Sequence, residues 1–123
     1  MNKTGIVLVS HVKEIGEGIY RLIQEVAQEV PITVAAGLEE GAVGTSFERI
    51  MEAFDENEAD KLLAFYDLGS AKMNLEMAID MTEKEVELFD TALIESAYTA
   101  AALLQVDTEV EVIKEQLAPL KVK

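Results

Sequence analysis

Four short apolar runs, each followed by a stretch of helical periodicity, constrain the fold of this chain more than any other feature. The first run, GIVLV at 5–9, is continuous and rich in β-branched residues, as expected for a strand that is buried on both faces. The apolar residues that follow recur at helical spacing over 14–29, and Pro31 ends that pattern. The predicted strands are 5–9, 32–36, 62–68 and 86–90, and the predicted helices are 14–29, 45–54, 70–81, 93–105 and a last helix capped by Asp107.

This alternation predicts an α/β fold in which a doubly wound, mostly parallel four-stranded sheet has helices on both faces. We expect one domain over residues 1–123, because the chain has the length of a single domain. In the strand order 2-1-3-4, the first and third strands are neighbours at the switch point of the sheet. Ligands bind beyond the carboxyl ends of the strands at such a point.

Composition excludes several classes of function. The chain has 24 acidic and 10 basic residues and a net charge of −14, so its surface repels nucleic acid. It has no Cys and one His, which excludes disulfides, thiolate chemistry and metal sites with several His ligands. No run of about 18 apolar residues suggests a membrane span, and no small-residue cleavage site follows the first apolar stretch. We therefore expect a cytoplasmic protein that binds no membrane.

Polar segments follow each predicted strand. The first strand leads to Ser10-His11, and the third leads to Asp67-Leu68-Gly69-Ser70. Because these strands are predicted neighbours, we expect His11 and Asp67 to lie side by side at the cleft. The loop that ends in Gly44-Thr45-Ser46 should lie beside them, and Asp90-Thr91 follows the fourth strand.

His11 is the main catalytic candidate, although a lone His is more often a surface or capping residue. A carboxylate near its ring can fix the tautomer, and imidazole itself can act as a nucleophile. A serine nucleophile has less support, because no Ser lies in a Gly-x-Ser-x-Gly elbow. Helices that begin at Thr45 and Ser70 can offer amides and hydroxyls to a phosphoryl group on His11.

Other residues have two readings. Thr45 opens a capping-box pattern with Glu48, so it serves as a helix cap, a phosphate ligand or both. Asp67 either orients the His11 ring or is an ordinary turn residue. Gly16 and Gly18 either allow close approach near His11 or serve only the packing of the first helix. No Lys follows Gly44, which excludes a Walker A loop. Four methionines at core-like spacing are read as core or subunit interface: Met51, Met73, Met77 and Met81.

Three segments together carry a resemblance to a known family. They are GIVLVSH at 5–11 with Glu17-Gly18, Gly44-Thr45-Ser46, and YDLGSA at 66–71 with Asn74 and Glu76-Met77. In order and spacing over nearly the whole chain, they resemble the mannose-type IIA domains of the phosphoenolpyruvate-dependent phosphotransferase system. The Asp-Leu-Gly-Ser-Ala segment is most similar to the branch that serves phosphoenolpyruvate-dependent dihydroxyacetone kinases.

The resemblance implies a phosphotransferase subunit in which His11 accepts a phosphoryl group from the phosphocarrier HPr on its ε nitrogen. His11 then passes the group to ADP held on a dihydroxyacetone kinase subunit, while Asp67 orients the ring. The resemblance also implies a homodimer and an HPr that acts in trans. The implied phosphate-binding residues are Gly44, Thr45, Ser46, Gly69 and Ser70.

We expect this chain to bind no metal or cofactor of its own, and Mg²⁺ and ADP to belong to the partner subunit. An apolar rim of Val12, Ile15 and Phe47 is expected to contact transient partners. The alternative is a IIA domain that passes the same phosphoryl group to the IIB domain of a sugar transporter.

Overall fold

The computed structural model describes residues 3–123 and contains one parallel sheet at its centre. The strands are β1 (Thr4–Ser10), β2 (Ile32–Ala36), β3 (Lys61–Tyr66) and β4 (Glu85–Phe89), in the order β2-β1-β3-β4. All neighbouring strands pair in parallel. The predicted α/β class and strand order are therefore confirmed.

Five helices cover the two faces of the sheet. Helices α2 and α3 pack on one face, and α1, α4 and α5 pack on the other. Within residues 3–123, no helix has the length and apolar character needed to cross a membrane. The helices are α1 (Lys13–Gln24), α2 (Phe47–Glu56), α3 (Ser70–Met81), α4 (Leu93–Gln105) and α5 (Val110–Leu117), with short 3₁₀ turns at Glu39–Gly41 and Ala118–Leu120.

The two central strands are apolar throughout because each of their faces is covered by helices. Along β1, Val7 and Val9 pack toward α2 and α3, while Ile6 and Leu8 pack toward α1, α4 and α5. All four side chains are almost fully buried. This alternation explains why the strand reads as a continuous hydrophobic run rather than as alternating polar and apolar residues.

The register of β1 and β3 brings two polar segments to the same edge of the sheet. Val9 pairs with Tyr66 at the carboxyl ends of the strands. The amide of Asp67 continues this pairing by donating to the carbonyl oxygen of Val9 at 3.2 Å. The residues that follow each strand, His11 and Asp67, therefore leave the sheet side by side.

Helix α1 ends at Gln24, five residues before the predicted end. The amides of Glu25, Val26 and Ala27 donate to carbonyls three residues earlier, so the chain tightens into turns after the helix. These turns bury Ala27 and pack Val26 against the core before Pro31 starts the path into β2. The hydrophobic spacing continued past the helix because these turn residues are also core residues.

Two predicted helix starts are wrong. Ser46 rather than Thr45 caps α2, and its Oγ accepts from the amide of Arg49 at 3.3 Å. Glu48 pairs with the Ser46 hydroxyl at 3.2 Å, which differs from the reciprocal bond of a capping box. Asp107 has a positive φ of 61° and belongs to the turn after α4, so α5 begins later, with Glu109 at its N-cap.

The four methionines predicted at core or subunit-interface positions fall into two groups. Met73, Met77 and Met81 are 72%, 49% and 68% exposed, so they are not core residues. Met51 does pack against the core. The exposure of these three methionines excludes the core interpretation for them, and the subunit-interface interpretation stays a prediction.

Candidate active site

His11 and Asp67 form a close pair at the carboxyl edge of the sheet. The Nδ1 atom of His11 lies 2.8 Å from Oδ1 of Asp67. Their side chains are only 16% and 14% exposed, so the pair is largely shielded from solvent. The juxtaposition predicted from strand order is present, and it gives the imidazole a fixed orientation.

Asp67 is held by a set of donors that favour its ionised form. Its Oδ2 accepts from the His11 amide and the Ser10 hydroxyl, both at 2.9 Å, and its Oδ1 accepts from the Leu68 amide at 2.7 Å. Burial raises the pKa of Asp67, but the hydrogen bonds from His11, Ser10 and Leu68 outweigh burial and lower it below its ordinary value. The ionised carboxylate only accepts, so Nδ1 of His11 carries the ring proton toward it.

The other ring nitrogen of His11 faces Ser70. Ser70 Oγ lies 2.7 Å from Nε2, and this contact is at the exposed side of the site. With the proton on Nδ1, the neutral ring presents a lone pair at Nε2 that accepts from the Ser70 hydroxyl. Ser70 is the first residue of α3, as predicted, and Gly69 at the N-cap provides no side-chain cap.

The chain of contacts Ser70–His11–Asp67 has the connectivity of a serine triad, in which His activates the hydroxyl. It also suits a His nucleophile, because the same geometry leaves Nε2 unprotonated. Ser70 begins an ordinary α-helix and has no positive φ, so its backbone is not the strained elbow of a serine hydrolase. The local backbone therefore favours Nε2 of His11 as the reacting atom.

The loop before α2 reaches the site through Gly44. The Gly44 amide donates to the carbonyl oxygen of His11 at 2.8 Å. Gly44 has a φ of +149°, and a Cβ at this position would lie 2.7 Å from Cδ1 of Leu38. Glycine is therefore required where the loop passes His11.

Asn74 joins this loop to α3. Its Nδ2 lies 3.0 Å from Oγ1 of Thr45 and 3.4 Å from the carbonyl oxygen of Thr45. Asn74 is one of the residues that carry the family resemblance, but the sequence pattern indicated no role for it at the site. Its position four residues after Ser70 was the available signal, because residues at this spacing share one face of a helix.

The start of α3 presents two backbone donors. Within residues 3–123, the amides of Gly69 and Ser70 have no protein acceptor, whereas those of Leu68 and Ala71 bond Asp67 and Leu68. Unpaired amides and the positive end of the helix dipole favour an anion at this point. The two segments therefore bring Gly44, Thr45, Ser46, Gly69 and Ser70 to the edge that holds His11, except that the Ser46 hydroxyl is occupied as the α2 cap.

A second network lies beside the pair. Asp90 accepts from the Tyr66 hydroxyl at 2.5 Å and from Lys72 Nζ at 3.1 Å. Burial and the Asp90 carboxylate raise the pKa of Tyr66, which keeps the phenol protonated. Lys123 Nζ donates to the carbonyls of Tyr66 and Asp67 at 2.6 and 3.1 Å. Sequence reasoning missed Lys72 and Lys123 as members of one network because no short-range pattern links them.

The expected apolar rim is partly different. Phe47 packs against the core, so it is not a free rim residue. Ile15 is 45% exposed, and Leu68 and Val43, which flank the site segments, are 60% and 69% exposed. Val12 is half-buried. Of the three predicted residues, only Phe47 is thus directed to the core, and Leu68 and Val43 add apolar surface beside the site segments.

The site is an open edge of the sheet. A cleft of about 740 Å³ lies between the Glu39–Gly41 turn and α2, and its lining includes Ser46 together with Glu39, Glu48, Arg49 and Glu52. Among residues 3–123, no three His, Asp or Glu side chains are grouped so that they could hold a metal ion. An open edge with a shielded His–Asp pair suits chemistry on a group that another macromolecule delivers.

The chain matches a known family and is similar to several characterised proteins. Residues 5–114 match the family EIIA-man, described as the PTS system fructose IIA component. The chain is 53% identical over 119 residues to the phosphotransferase subunit DhaM of a PTS-dependent dihydroxyacetone kinase from Lactococcus lactis, covering 97% of both chains. It is 46% identical to the phosphoryl donor subunit DhaM of PEP-dependent dihydroxyacetone kinase 1 from Listeria innocua, covering 97% of this chain and 96% of that protein.

Solved structures share the fold. A crystal structure of a protein of unknown function matches with a TM-score of 0.86 and 31% identity, covering 98% of this chain and 97% of that chain. A sigma-54 interaction domain protein from Enterococcus faecalis matches with a TM-score of 0.69 at 14% identity, which shows the fold alone. The chain therefore belongs to the EIIA-man family of the phosphotransferase system, where it is similar to the DhaM subunits of dihydroxyacetone kinases.

Proposed function

We propose that this chain is a phosphoryl carrier that accepts a phosphoryl group from phospho-HPr on Nε2 of His11. It then passes the group to ADP bound on a dihydroxyacetone kinase subunit. One observation carries the proposal: Asp67 holds the Nδ1 side of the ring at 2.8 Å, and Nε2 faces the open edge. The relatives named as a phosphotransferase subunit and a phosphoryl donor subunit support it, because the chain covers nearly the whole length of both.

Bonds, electron pairs and protons are all accounted for in the transfer onto His11. The Nε2 lone pair attacks phosphorus, the nitrogen–phosphorus bond to HPr breaks, and that electron pair returns to the imidazole of HPr. The proton on Nδ1 stays in place, so the phosphorylated ring gains positive charge beside the ionised Asp67 carboxylate. A charge-assisted hydrogen bond stabilises this form more than a neutral one would.

The second transfer reverses these changes. A β-phosphate oxygen of ADP attacks phosphorus, the bond to Nε2 breaks, and its electron pair restores the neutral ring. This step requires an aligned nitrogen, phosphorus and oxygen and neutralised phosphate charge. We assign Mg²⁺ and ADP to the kinase subunit, since within residues 3–123 no three His, Asp or Glu side chains are grouped so that they could hold a metal ion.

The phosphoryl oxygens have donors at two segments. We assign the free amides of Gly69 and Ser70 and the hydroxyl of Ser70 to the phosphoryl group, together with Gly44 and Thr45 from the facing loop. Ser46 contributes through its position at the N-terminus of α2, since its hydroxyl caps that helix. The chain is thus proposed to hold the anion mainly by hydrogen bonds rather than by cations.

The test is a complete relay. Labelled phosphoenolpyruvate, enzyme I and HPr should load the label onto His11, as shown by mapping of the labelled peptide. Addition of a kinase subunit loaded with ADP and Mg²⁺ should then discharge the label into ATP within seconds. Discharge only to the IIB domain of a sugar transporter would favour the alternative function, and the absence of label on His11 would overturn both.

Two further parts of the proposal concern the oligomeric state and the cellular location. We propose a homodimer, which is supported by the exposed row of Met73, Met77 and Met81 on α3. Sedimentation equilibrium at micromolar concentration should give twice the chain mass of 13.5 kDa. We also assign the relay to the cytoplasm, where phosphoenolpyruvate is available, and fractionation of cells that express the protein tests this assignment.

A further inference from the structure

The orientation of the Asn74 amide is determined by the groups around it. One terminal atom of the side chain lies 3.4 Å from the carbonyl oxygen of Thr45 and 3.0 Å from its Oγ1. A carbonyl oxygen only accepts hydrogen bonds, so the Asn74 atom that faces it is the NH₂ group. This NH₂ group donates to Oγ1 of Thr45 at 3.0 Å and lies at the longer distance of 3.4 Å from the carbonyl oxygen.

This orientation fixes the role of the Thr45 hydroxyl. Because Oγ1 accepts from Asn74, the hydroxyl proton cannot point toward Asn74 and must be donated elsewhere. Among residues 3–123, no protein atom accepts that proton. The hydroxyl of Thr45 is therefore polarised and can donate its proton to a ligand. It lies in the loop whose Gly44 amide donates a hydrogen bond to the carbonyl oxygen of His11.

The same helix holds both sides of the site. Asn74 and Ser70 lie one turn apart on α3, and Ser70 contacts Nε2 of His11 at 2.7 Å. Asn74 thus joins the helix that contacts the reacting nitrogen to the loop that carries Thr45. Both contacts are side-chain hydrogen bonds, so their geometry follows directly from the position of α3.

We propose that Asn74 is a positioning residue that directs the hydroxyl proton of Thr45 toward a phosphoryl oxygen on His11. The inference rests on the proposed carrier function and adds a residue that acts through Thr45. It predicts that the two side chains contribute to transfer as one unit. It also predicts that the direction of the hydrogen bond matters, and not only its presence.

Substitution of Asn74 by Asp distinguishes the direction of the hydrogen bond with Thr45 from its mere presence. Asn74→Asp keeps the shape of the side chain, but its carboxylate accepts the Thr45 proton and so removes the donor from the phosphoryl group. Asn74→Ala removes the contact without this reversal. Thr45→Val removes the hydroxyl at nearly constant shape. The combination of each Asn74 variant with Thr45→Val completes two double-mutant cycles.

The rate of His11 phosphorylation is measured with phosphoramidate, a small donor that needs no partner protein. Nε2 attacks its phosphorus, the nitrogen–phosphorus bond of the reagent breaks, and ammonia leaves. Asn74→Ala and Thr45→Val should each slow this reaction about fivefold, which corresponds to one hydrogen bond of about 1 kcal/mol. The double variant should be no slower than Thr45→Val alone.

Asn74→Asp should be at least threefold slower than Asn74→Ala when Thr45 is present. The added carboxylate also repels the phosphoryl group, so the same comparison is made in the Thr45→Val background. There the difference between Asp and Ala measures charge alone and should be clearly smaller. Melting temperatures of all variants report any loosening of the loop separately.

Two results would overturn the proposal. Additive effects of Asn74→Ala and Thr45→Val would mean that Asn74 acts without the hydroxyl, as a clamp between the loop and α3. An equal gap between the Asp and Ala variants in both backgrounds would mean that only charge matters. If phosphoramidate labels His11 but phospho-HPr does not, the carrier function fails, while the two cycles still test Asn74.

Discussion

The ring nitrogen Nδ1 of His11 and the carboxylate oxygen Oδ1 of Asp67 lie 2.8 Å apart, although the residues are 56 positions apart in the chain. The pairing of β1 with β3 creates this contact, since the strands end together at Val9 and Tyr66. The Asp67 carboxylate also accepts from the backbone amide of His11. Main-chain geometry therefore holds the pair, which restricts the imidazole to one orientation.

Replacement of His11 tests the identity of the carrier. His11→Ala should fold normally, because the ring is at the sheet edge outside the two core clusters. It should take up no label from phospho-HPr. The wild-type label should be stable in alkali and lost in acid, as expected for phosphohistidine. Label retained in the variant, or an acid-stable label in the wild type, would contradict the assignment.

Replacement of Asp67 tests the tautomer. Asp67→Asn keeps the size of the side chain but removes the charge that fixes the proton on Nδ1. Transfer from phospho-HPr should slow by more than about tenfold, the scale of one hydrogen bond to a charged group. Single-turnover rates give the measurement, and a matched Asp90→Asn variant controls for a charge lost from the neighbouring network. Equal rates in wild type and Asp67→Asn would show that Asp67 is only a turn residue.

Replacement of Ser70 tests whether His11 or Ser70 is the nucleophile, since the Ser70–His11–Asp67 hydrogen bonds are compatible with either. Ser70→Ala should keep the label on His11 and slow transfer by no more than about fivefold, since one neutral hydrogen bond of about 1 kcal/mol is lost. Phosphopeptide mapping in the variant locates the label. Complete loss of label in Ser70→Ala, or phosphoserine in the wild type, would instead make Ser70 the reacting residue.

The stability of the protein should depend on pH through Asp67. Its pKa is lowered in the folded protein, because the hydrogen bonds that it accepts outweigh burial. In the unfolded chain the pKa returns to about 3.9. The stabilisation is therefore complete above the unfolded pKa and is lost as the pH falls through the folded pKa. The gap in melting temperature between wild type and Asp67→Asn should shrink from pH 7 to pH 3, and a constant gap would contradict this account.

Two glycines in α1 should respond to Ala in opposite directions. A Cβ on Gly18 meets no atom within 4 Å, so Gly18→Ala should raise the free energy of unfolding by about 1 kcal/mol through helix propensity. A Cβ on Gly16 would lie 2.6 Å from the Cβ of Ala36, so Gly16→Ala should lower it. Chemical denaturation of the two variants gives both values. A Gly18→Ala variant that is less stable than wild type would show that the helix needs glycine there.

The sequence was sufficient to predict the sheet and the meeting of His11 with Asp67. Buried parallel strands have a distinctive apolar pattern, and their carboxyl ends meet at one edge whatever the loops do. The packing role of Gly16 was one of two open readings, and the contacts with Val34 and Ala36 decide it.

The cap of α2 could not be predicted with the same certainty. Thr45 and Ser46 both carry a hydroxyl that suits an N-cap, so the local pattern fits either residue. In the folded chain the Thr45 hydroxyl is engaged by Asn74, 29 positions away, while the Ser46 hydroxyl caps the helix. In the same way, Lys123 reaches the carbonyls of Tyr66 and Asp67 from a distant part of the chain. Such contacts depend on tertiary structure and leave no periodic signal.

The shielding of one side of the His11 ring has a kinetic consequence. Asp67 closes the Nδ1 side, so a phosphoryl group can arrive and leave only at Nε2, and from the same open edge. Under the proposed function, donor and acceptor compete for one footprint and cannot bind together. The relay then follows ping-pong kinetics, in which an excess of unphosphorylated HPr inhibits discharge to the kinase subunit. Each in-line displacement inverts the configuration at phosphorus, so a chiral phosphoryl group passes from HPr to ADP with net retention.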